Sequence, residues 1–135
     1  MKLNVPKYIL DLPAYVPGKP IEEVEREYGI TDSIKLASNE NPLGPSPKAM
    51  KAIEAALPNS HRYPDQAGYE LVHKLADKLG LETDCIVLGN GSDDIIAMLG
   101  LALLKPGDLV VLPEPSFQMY EITARSAGAC PVWVP

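Results

Sequence analysis

The 135-residue chain is short of positive charge, of cysteine and of long apolar runs. Twelve basic residues against eighteen acidic ones give a formal net charge of −6. No Lys/Arg cluster breaks that balance, which argues against nucleic acid and against an anionic membrane surface as partners. The longest apolar run, Ile95 to Leu104, is ten residues with one Gly, about half of the ~20 needed to span a bilayer. Met1-Lys2-Leu3-Asn4-Val5-Pro6 lacks the apolar core of a secretory signal. The two cysteines, Cys85 and Cys130, both sit in apolar strand patterns. They read as reduced core thiols of a cytosolic protein. His61 and His73 have no Cys or acid at ligand spacing, so no metal site is expected. No Ser/His/Asp set, internal repeat or low-complexity tract is evident.

What is present fits one ordinary domain length, with enough apolar residues for a core. Prolines are many and uneven: six of the fourteen precede residue 46. The front end reads as an extended arm with one short helix. Pro20 takes the first helical position there, Ile21, Val24 and Tyr28 form one stripe, and Gly29 stops it. Ile34-Lys35-Leu36-Ala37 is a short strand candidate. Ser46-Pro47 is a cap plus first-turn proline, and Met50, Ile53 and Leu57 share a face of the helix that follows. A further helix runs roughly from Ala67 to Leu79, with Gly80 as its stop.

From Cys85 the pattern changes. Strands are expected at Cys85–Leu88, Leu109–Leu112 and Val132–Val134, each a short continuous apolar run that suits a parallel sheet covered on both faces. The helix from Asp93 to Leu104 is apolar almost all round, which predicts deep burial. The fold class is therefore α/β: an N-terminal arm and helices, then a βαβαβ unit with right-handed connections.

Two loops in this part could carry chemistry. Gly89-Asn90-Gly91-Ser92-Asp93-Asp94 joins a strand to a helix. Gly permits close backbone approach, and a helix N-terminus offers orphan N–H groups and a positive dipole end to an anion. The amides of Gly91, Ser92 and Asp93 would converge on one point, and the Ser92 hydroxyl adds a donor. A plain helix cap explains the same residues equally well. A dinucleotide fingerprint begins correctly with Gly89-Asn90-Gly91 but has Asp94 where the third glycine belongs. Pro113-Glu114-Pro115-Ser116-Phe117-Gln118-Met119-Tyr120 follows the next strand, where Phe117 is either a flat platform for a ring or the first core contact of the next helix. Asn39-Glu40-Asn41-Pro42 and His61-Arg62-Tyr63-Pro64-Asp65 are ligand donors or ordinary turns.

Taken together and in order, Leu36 to Gly44, Arg62-Tyr63-Pro64-Asp65, Gly89 to Asp93 and Pro115 to Tyr120 resemble the fold-type I, pyridoxal-phosphate-dependent aminotransferases. Within them the chain is most similar to the histidinol-phosphate aminotransferase family, whose N-terminal arm Tyr15-Val16-Pro17-Gly18-Lys19-Pro20 also fits. The resemblance covers the whole chain. It implies a mostly parallel three-layer α/β/α sheet, here incomplete. Residues 1–44 would be the arm and part of the small domain, and 45–135 the start of the large cofactor-binding domain. It implies that Gly91, Ser92 and Asp93 hold the phosphate of pyridoxal 5'-phosphate and that Phe117 stacks on its ring, where the family often has Tyr. Tyr63 would reach the cofactor of the other subunit in a homodimer, and Tyr15 and Asn39 would lie near the substrate, a small amino-acid-like phosphate.

The resemblance also implies what is missing. The family's Schiff-base Lys, its Asp, Asn and Tyr around the ring, and its carboxylate Arg all fall beyond residue 135. None of the nine lysines here stands in that lysine's context. No catalytic residue is expected in this chain, and the 135 residues alone are expected to be inactive and unstable. The activity implied for the complete protein is that of a cytoplasmic enzyme of histidine biosynthesis. It exchanges an amino group between histidinol phosphate with 2-oxoglutarate and imidazole-acetol phosphate with glutamate. Three alternatives stay open: a sister enzyme on the same scaffold (a threonine-phosphate decarboxylase or an aromatic aminotransferase), a non-catalytic phosphate- or nucleotide-binding module, and a natural short interaction protein.

Overall fold

The computed structural model describes residues 4–135, so the first three residues of the expected arm lie outside the described residues. Along the chain it has α1 (Lys7–Leu10), α2 (Ile21–Tyr28), α3 (Pro47–Ala56), α4 (Tyr69–Leu79), α5 (Gly91–Leu103), β1 (Leu109–Pro113), α6 (Gln118–Ser126) and β2 (Cys130–Val134). Short 3-10 turns occupy Leu57–Asn59 and Thr83–Cys85. The chain divides into two compact units, one joining the described residues up to Tyr15 with Ala67–Pro135, the other Val16–Gln66.

In the Val16–Gln66 unit, α2 starts after Pro20, which sits at the N-cap, and stops at Gly29, whose φ of 64° is the left-handed cap the sequence suggested. Lys19 pairs with Glu27, and that carboxylate holds the Lys19 ammonium above its ordinary range. Helix α3 has Ser46 at its N-cap and Pro47 in its first turn. The cap works through the backbone, with the Met50 N–H donating to the Ser46 carbonyl at 3.0 Å. The strand expected at Ile34–Ala37 does not form. Ile34 and Leu36 are almost fully exposed, and an isolated extended run without a ladder partner has no hydrogen bonds to make it a strand.

The other unit is an α/β layer. β1 and β2 pair in parallel, Leu109 opposite Cys130 through Pro113 opposite Val134. The ladder continues one step further, with the Glu114 N–H donating to the Val134 carbonyl at 2.8 Å. The sheet has two strands, not the three expected. Ile86 has extended dihedrals, but Ile86–Leu88 finds no ladder among the described residues. Both-face burial also fails. Val110 and Leu112 turn inward and Leu109 and Val111 outward, because α6 packs on the sheet and its partner face is uncovered. For the same reason α5 is not deeply buried: Leu99, Leu101 and Leu103 are exposed. The core is small and made of Leu112, Ala124 and Ala129, with Ala76 on α4. Cys85 and Cys130 are free and exposed, so they are not core thiols. Where the front end was expected to hold one helix, α1 is a second, its Ile9 and Leu10 N–H groups closing on the Pro6 carbonyl.

Candidate functional site

The Gly89–Asp94 loop forms the head of α5, and its geometry follows from three residues. Asn90, at the N-cap, has φ −77° and ψ 74°, the dihedrals of an inverse γ-turn. The turn is closed by the Gly91 N–H donating to the Gly89 carbonyl at 2.9 Å. Gly91 then takes φ 76°, with nothing within 4 Å of where a Cβ would stand. Only glycine adopts that backbone at no steric cost, and the space beside it is open.

This corrects one detail of the expected cup. The Gly91 N–H is committed to the γ-turn, so it is not a third converging donor, and Gly91 contributes shape. The N–H groups of Ser92 and Asp93 belong to the first turn of a 13-residue helix, where no intrahelical acceptor exists. Among the described residues no backbone acceptor meets them, and the side chain of the N-cap residue Asn90 makes no cap bond to them. Two free amides, a hydroxyl and the helix dipole therefore face exposed, open space beside Gly91. That donor set suits the phosphate group of a cofactor.

Sequence reasoning did not assign Asp94 a role beyond spoiling the dinucleotide fingerprint. Its Oδ2 accepts the Asn90 N–H at 2.7 Å, so it ties the loop back onto the helix. The spacing of a capping box would have pointed to Asp93 instead. Gly89 is needed for this fold-back: a Cβ there would stand 2.9 Å from the Asp94 Cβ and 3.1 Å from Ile95 Cδ1.

Phe117 is the N-cap residue of α6, partly exposed, with its ring 5.9 Å from that of Tyr120 in an edge-on arrangement. It is thus both a contact of its own helix and an accessible aromatic face. Tyr15, half exposed, follows Ala14, whose carbonyl accepts a hydrogen bond from Gln118 Nε2 at 3.1 Å. The structure therefore brings Tyr15 to the Phe117 end of α6. No sequence signal marked Gln118, whose partner is a backbone carbonyl 104 positions away.

Asn39 and Tyr63 belong to the Val16–Gln66 unit. Asn39 and its neighbour Ser38 both have left-handed backbones, φ 52° and 72°. Asn tolerates this conformation and Ser less so, and strained pairs of this kind concentrate at functional positions. Asn41 is the turn former of that loop: its side chain accepts the Leu43 N–H at 3.0 Å and donates to the Gly44 carbonyl at 3.3 Å. Tyr63 is 99 % exposed, beside an open apolar cavity lined by Ile53, Leu57 and Pro64. Among the described residues no His/Cys/Asp/Glu group could hold a metal ion, and no helix is long and apolar enough to cross a membrane.

Residues 31–135 match the aminotransferase class I and II family. The chain is 49 % identical over 127 residues to a histidinol-phosphate aminotransferase of Moorella thermoacetica, which covers 94 % of this chain and 33 % of the relative. It is 51 % identical over 117 residues to histidinol-phosphate aminotransferase 2 of Carboxydothermus hydrogenoformans, covering 87 % and 32 %. The crystal structure of histidinol-phosphate aminotransferase from Sinorhizobium meliloti, in complex with pyridoxal-5'-phosphate, superposes with a TM-score of 0.84 at 25 % identity. That match covers 100 % of this chain and 36 % of the other. The chain spans about a third of the length of the curated relatives it matches.

Proposed function

The chain belongs to the aminotransferase class I and II family, and from that premise we propose that it supplies the phosphate cup and ring platform of a pyridoxal-phosphate-dependent histidinol-phosphate aminotransferase. The observation that carries this is the head of α5. Two unpartnered amides stand over open space at a left-handed glycine, in a chain half identical to enzymes of that name. The donor set matches a phosphate monoester, and the exposed Phe117 ring offers the flat apolar face that an aromatic cofactor needs.

In this reading the Ser92 and Asp93 amides and the Ser92 hydroxyl bind the cofactor phosphate, and Gly91 opens the approach. Phe117 orients the ring from one face. When bound, pyridoxal phosphate supplies the electron sink that lets an amino group move between carbon skeletons. The protein's share is placement and electrostatics. Tyr15 and Asn39 contact the substrate, a small amino-acid-like phosphate. The high exposure of Tyr63 supports a role outside its own chain, reaching the cofactor phosphate of a second copy in a homodimer. Residues 1–44 then belong to the arm and a smaller domain, and 45–135 open the cofactor-binding domain. The enzyme works in the cytoplasm. None of the nine lysines of this chain is assigned the Schiff-base role.

The test is made on the full-length gene product. Incubation with pyridoxal phosphate should produce a saturable absorbance band near the visible range, and amino transfer from glutamate to imidazole-acetol phosphate should follow. A protein that binds a nucleotide and leaves pyridoxal phosphate free sinks the reading. Preference for aromatic amino donors, or decarboxylation of threonine phosphate, moves it to a sister enzyme.

A further inference from the structure

The N-terminal arm is not a free tail in this structure. Helix α1 packs against α6, and Tyr8 of α1 and its C-cap residue Asp11 face Arg125 and Cys130 across a cavity of about 280 Å³. The arm therefore meets the C-terminal end of α6 around residues 8–11. Three residues later Ala14 meets its N-terminal end, where Gln118 Nε2 donates to the Ala14 carbonyl at 3.1 Å. The two spans agree. From Arg125 back to Gln118 along a helix is about 10 Å at 1.5 Å per residue. From Asp11 to Ala14 in extended chain is also about 10 Å. The arm thus runs antiparallel to α6 with little slack. Val5, Ile9, Leu12 and Pro13 are partly buried along the way, and Pro13 fixes one of the backbone angles that deliver Ala14.

We infer that Gln118 is a positioning residue: by holding the Ala14 carbonyl it fixes the next residue, Tyr15, at the Phe117 end of α6. One Cα–Cα step of about 3.8 Å separates the anchored residue from Tyr15. Loss of the anchor frees the last arm segment, while α1 stays packed on α6. The role of Tyr15 toward substrate rests on the function proposed above; the clamp itself does not. Gln118 touches neither cofactor nor substrate in this assignment. Its effect therefore belongs on substrate affinity and not on cofactor affinity.

The experiment uses the full-length gene product with Gln118→Ala, Gln118→Glu and Gln118→Lys. Alanine removes the donor, glutamate sets an acceptor against a carbonyl, and lysine restores a donor. Amide hydrogen exchange of residues 12–18 should speed up about fivefold in the alanine variant, the worth of one ordinary hydrogen bond. It should speed up at least as much in the glutamate variant and return toward wild type with lysine. Titration with pyridoxal phosphate should be unchanged throughout, while KM for histidinol phosphate rises severalfold in the alanine and glutamate variants at constant kcat. Unchanged exchange in those two variants overturns the clamp. Faster exchange with an unmoved KM overturns the positioning role. If the wild-type protein fails to bind pyridoxal phosphate, the functional reading falls, and exchange alone still decides the clamp.

Discussion

The Asp94 carboxylate accepts the backbone N–H of Asn90 at 2.7 Å, four residues back around the head of α5. The bond joins the last residue of the loop to the N-cap residue, so the γ-turn at Asn90 and the left-handed Gly91 are closed from both sides. Asp94→Ala should cost about 1 kcal/mol, below the usual worth of a charge-assisted bond because the loop is exposed. It should also weaken pyridoxal phosphate binding, since the loop carrying the free amides loses its tie. Asp94→Asn keeps an acceptor and should retain most of both. Urea unfolding and cofactor titration of the full-length gene product check this. Equal losses in the two variants would assign the effect to charge and not to the turn.

Gly89 and Gly91 fail for different reasons when replaced by alanine. At Gly91 the Cβ meets nothing, so the cost is the left-handed backbone, about 1–2 kcal/mol. The outcome is a loop that relaxes away from φ 76°. At Gly89 the Cβ would crowd Asp94 Cβ at 2.9 Å and Met98 Cε at 3.2 Å, so the Asp94–Asn90 bond is what breaks. Combined with Asp94→Ala, Gly91→Ala should add its full cost and Gly89→Ala somewhat less than its own, because the Asp94–Asn90 bond is already lost while the Cβ at position 94 still crowds the new methyl. Cofactor affinities measured over the double-mutant cycles decide the point.

The α5–α6 crossing depends on Gly100. It is buried, and a Cβ there would collide with Thr123 Cγ2. Gly100→Ala should therefore destabilise by about 1–3 kcal/mol, despite the better helix propensity of alanine. Thr123→Ser removes the colliding methyl. In the Gly100→Ala background it should recover at least half of the loss, although alone it should cost a fraction of a kcal/mol to about 1 kcal/mol. Thermal melting of the four proteins measures the coupling. Strict additivity would mean that the helices separate by another route.

Local signals made the helices legible. Gly29 and Gly80 are the left-handed caps that the sequence placed after Tyr28 and Leu79, and Ser46-Pro47 opened α3 as read. The start of α5 was legible because an apolar run that meets two glycines and then Ser and Asp marks a helix opening. What failed depended on partners. Ile86–Leu88 has a strand composition but needs a neighbour for its backbone bonds, and composition cannot supply one. The apolar girth of α5 says that the helix avoids water, not which residues of this chain cover it. Asp94 was hidden because Asp93 stands at the expected capping position. Gln118 was hidden because its partner is a main-chain atom far away in sequence, which leaves no pattern to read.

The exposure of apolar side chains leads to the last prediction. The described surface amounts to 11637 Å², whereas a folded monomer of this length exposes roughly 6,900 Å². The excess is not scattered. Leu101 and Leu103 on α5 and Leu109 and Val111 on β1 are each at least two-thirds exposed, on elements whose opposite faces form the small core. At about 25 cal/mol per Å² of apolar surface, leaving such faces wet forfeits most of the stabilisation that offsets chain entropy. The 135 residues expressed alone should therefore show helical far-UV circular dichroism, weak near-UV signal from Trp133, strong binding of a hydrophobic dye and no sharp melting transition. A cooperative calorimetric transition without dye binding would refute this, and would mean either that the monomer is stable as it stands or that self-association covers α5 and β1. Sedimentation of the same sample separates the two cases. A monomer that melts cooperatively contradicts the burial argument outright, whereas an oligomer that does so locates the covering surface on a second copy.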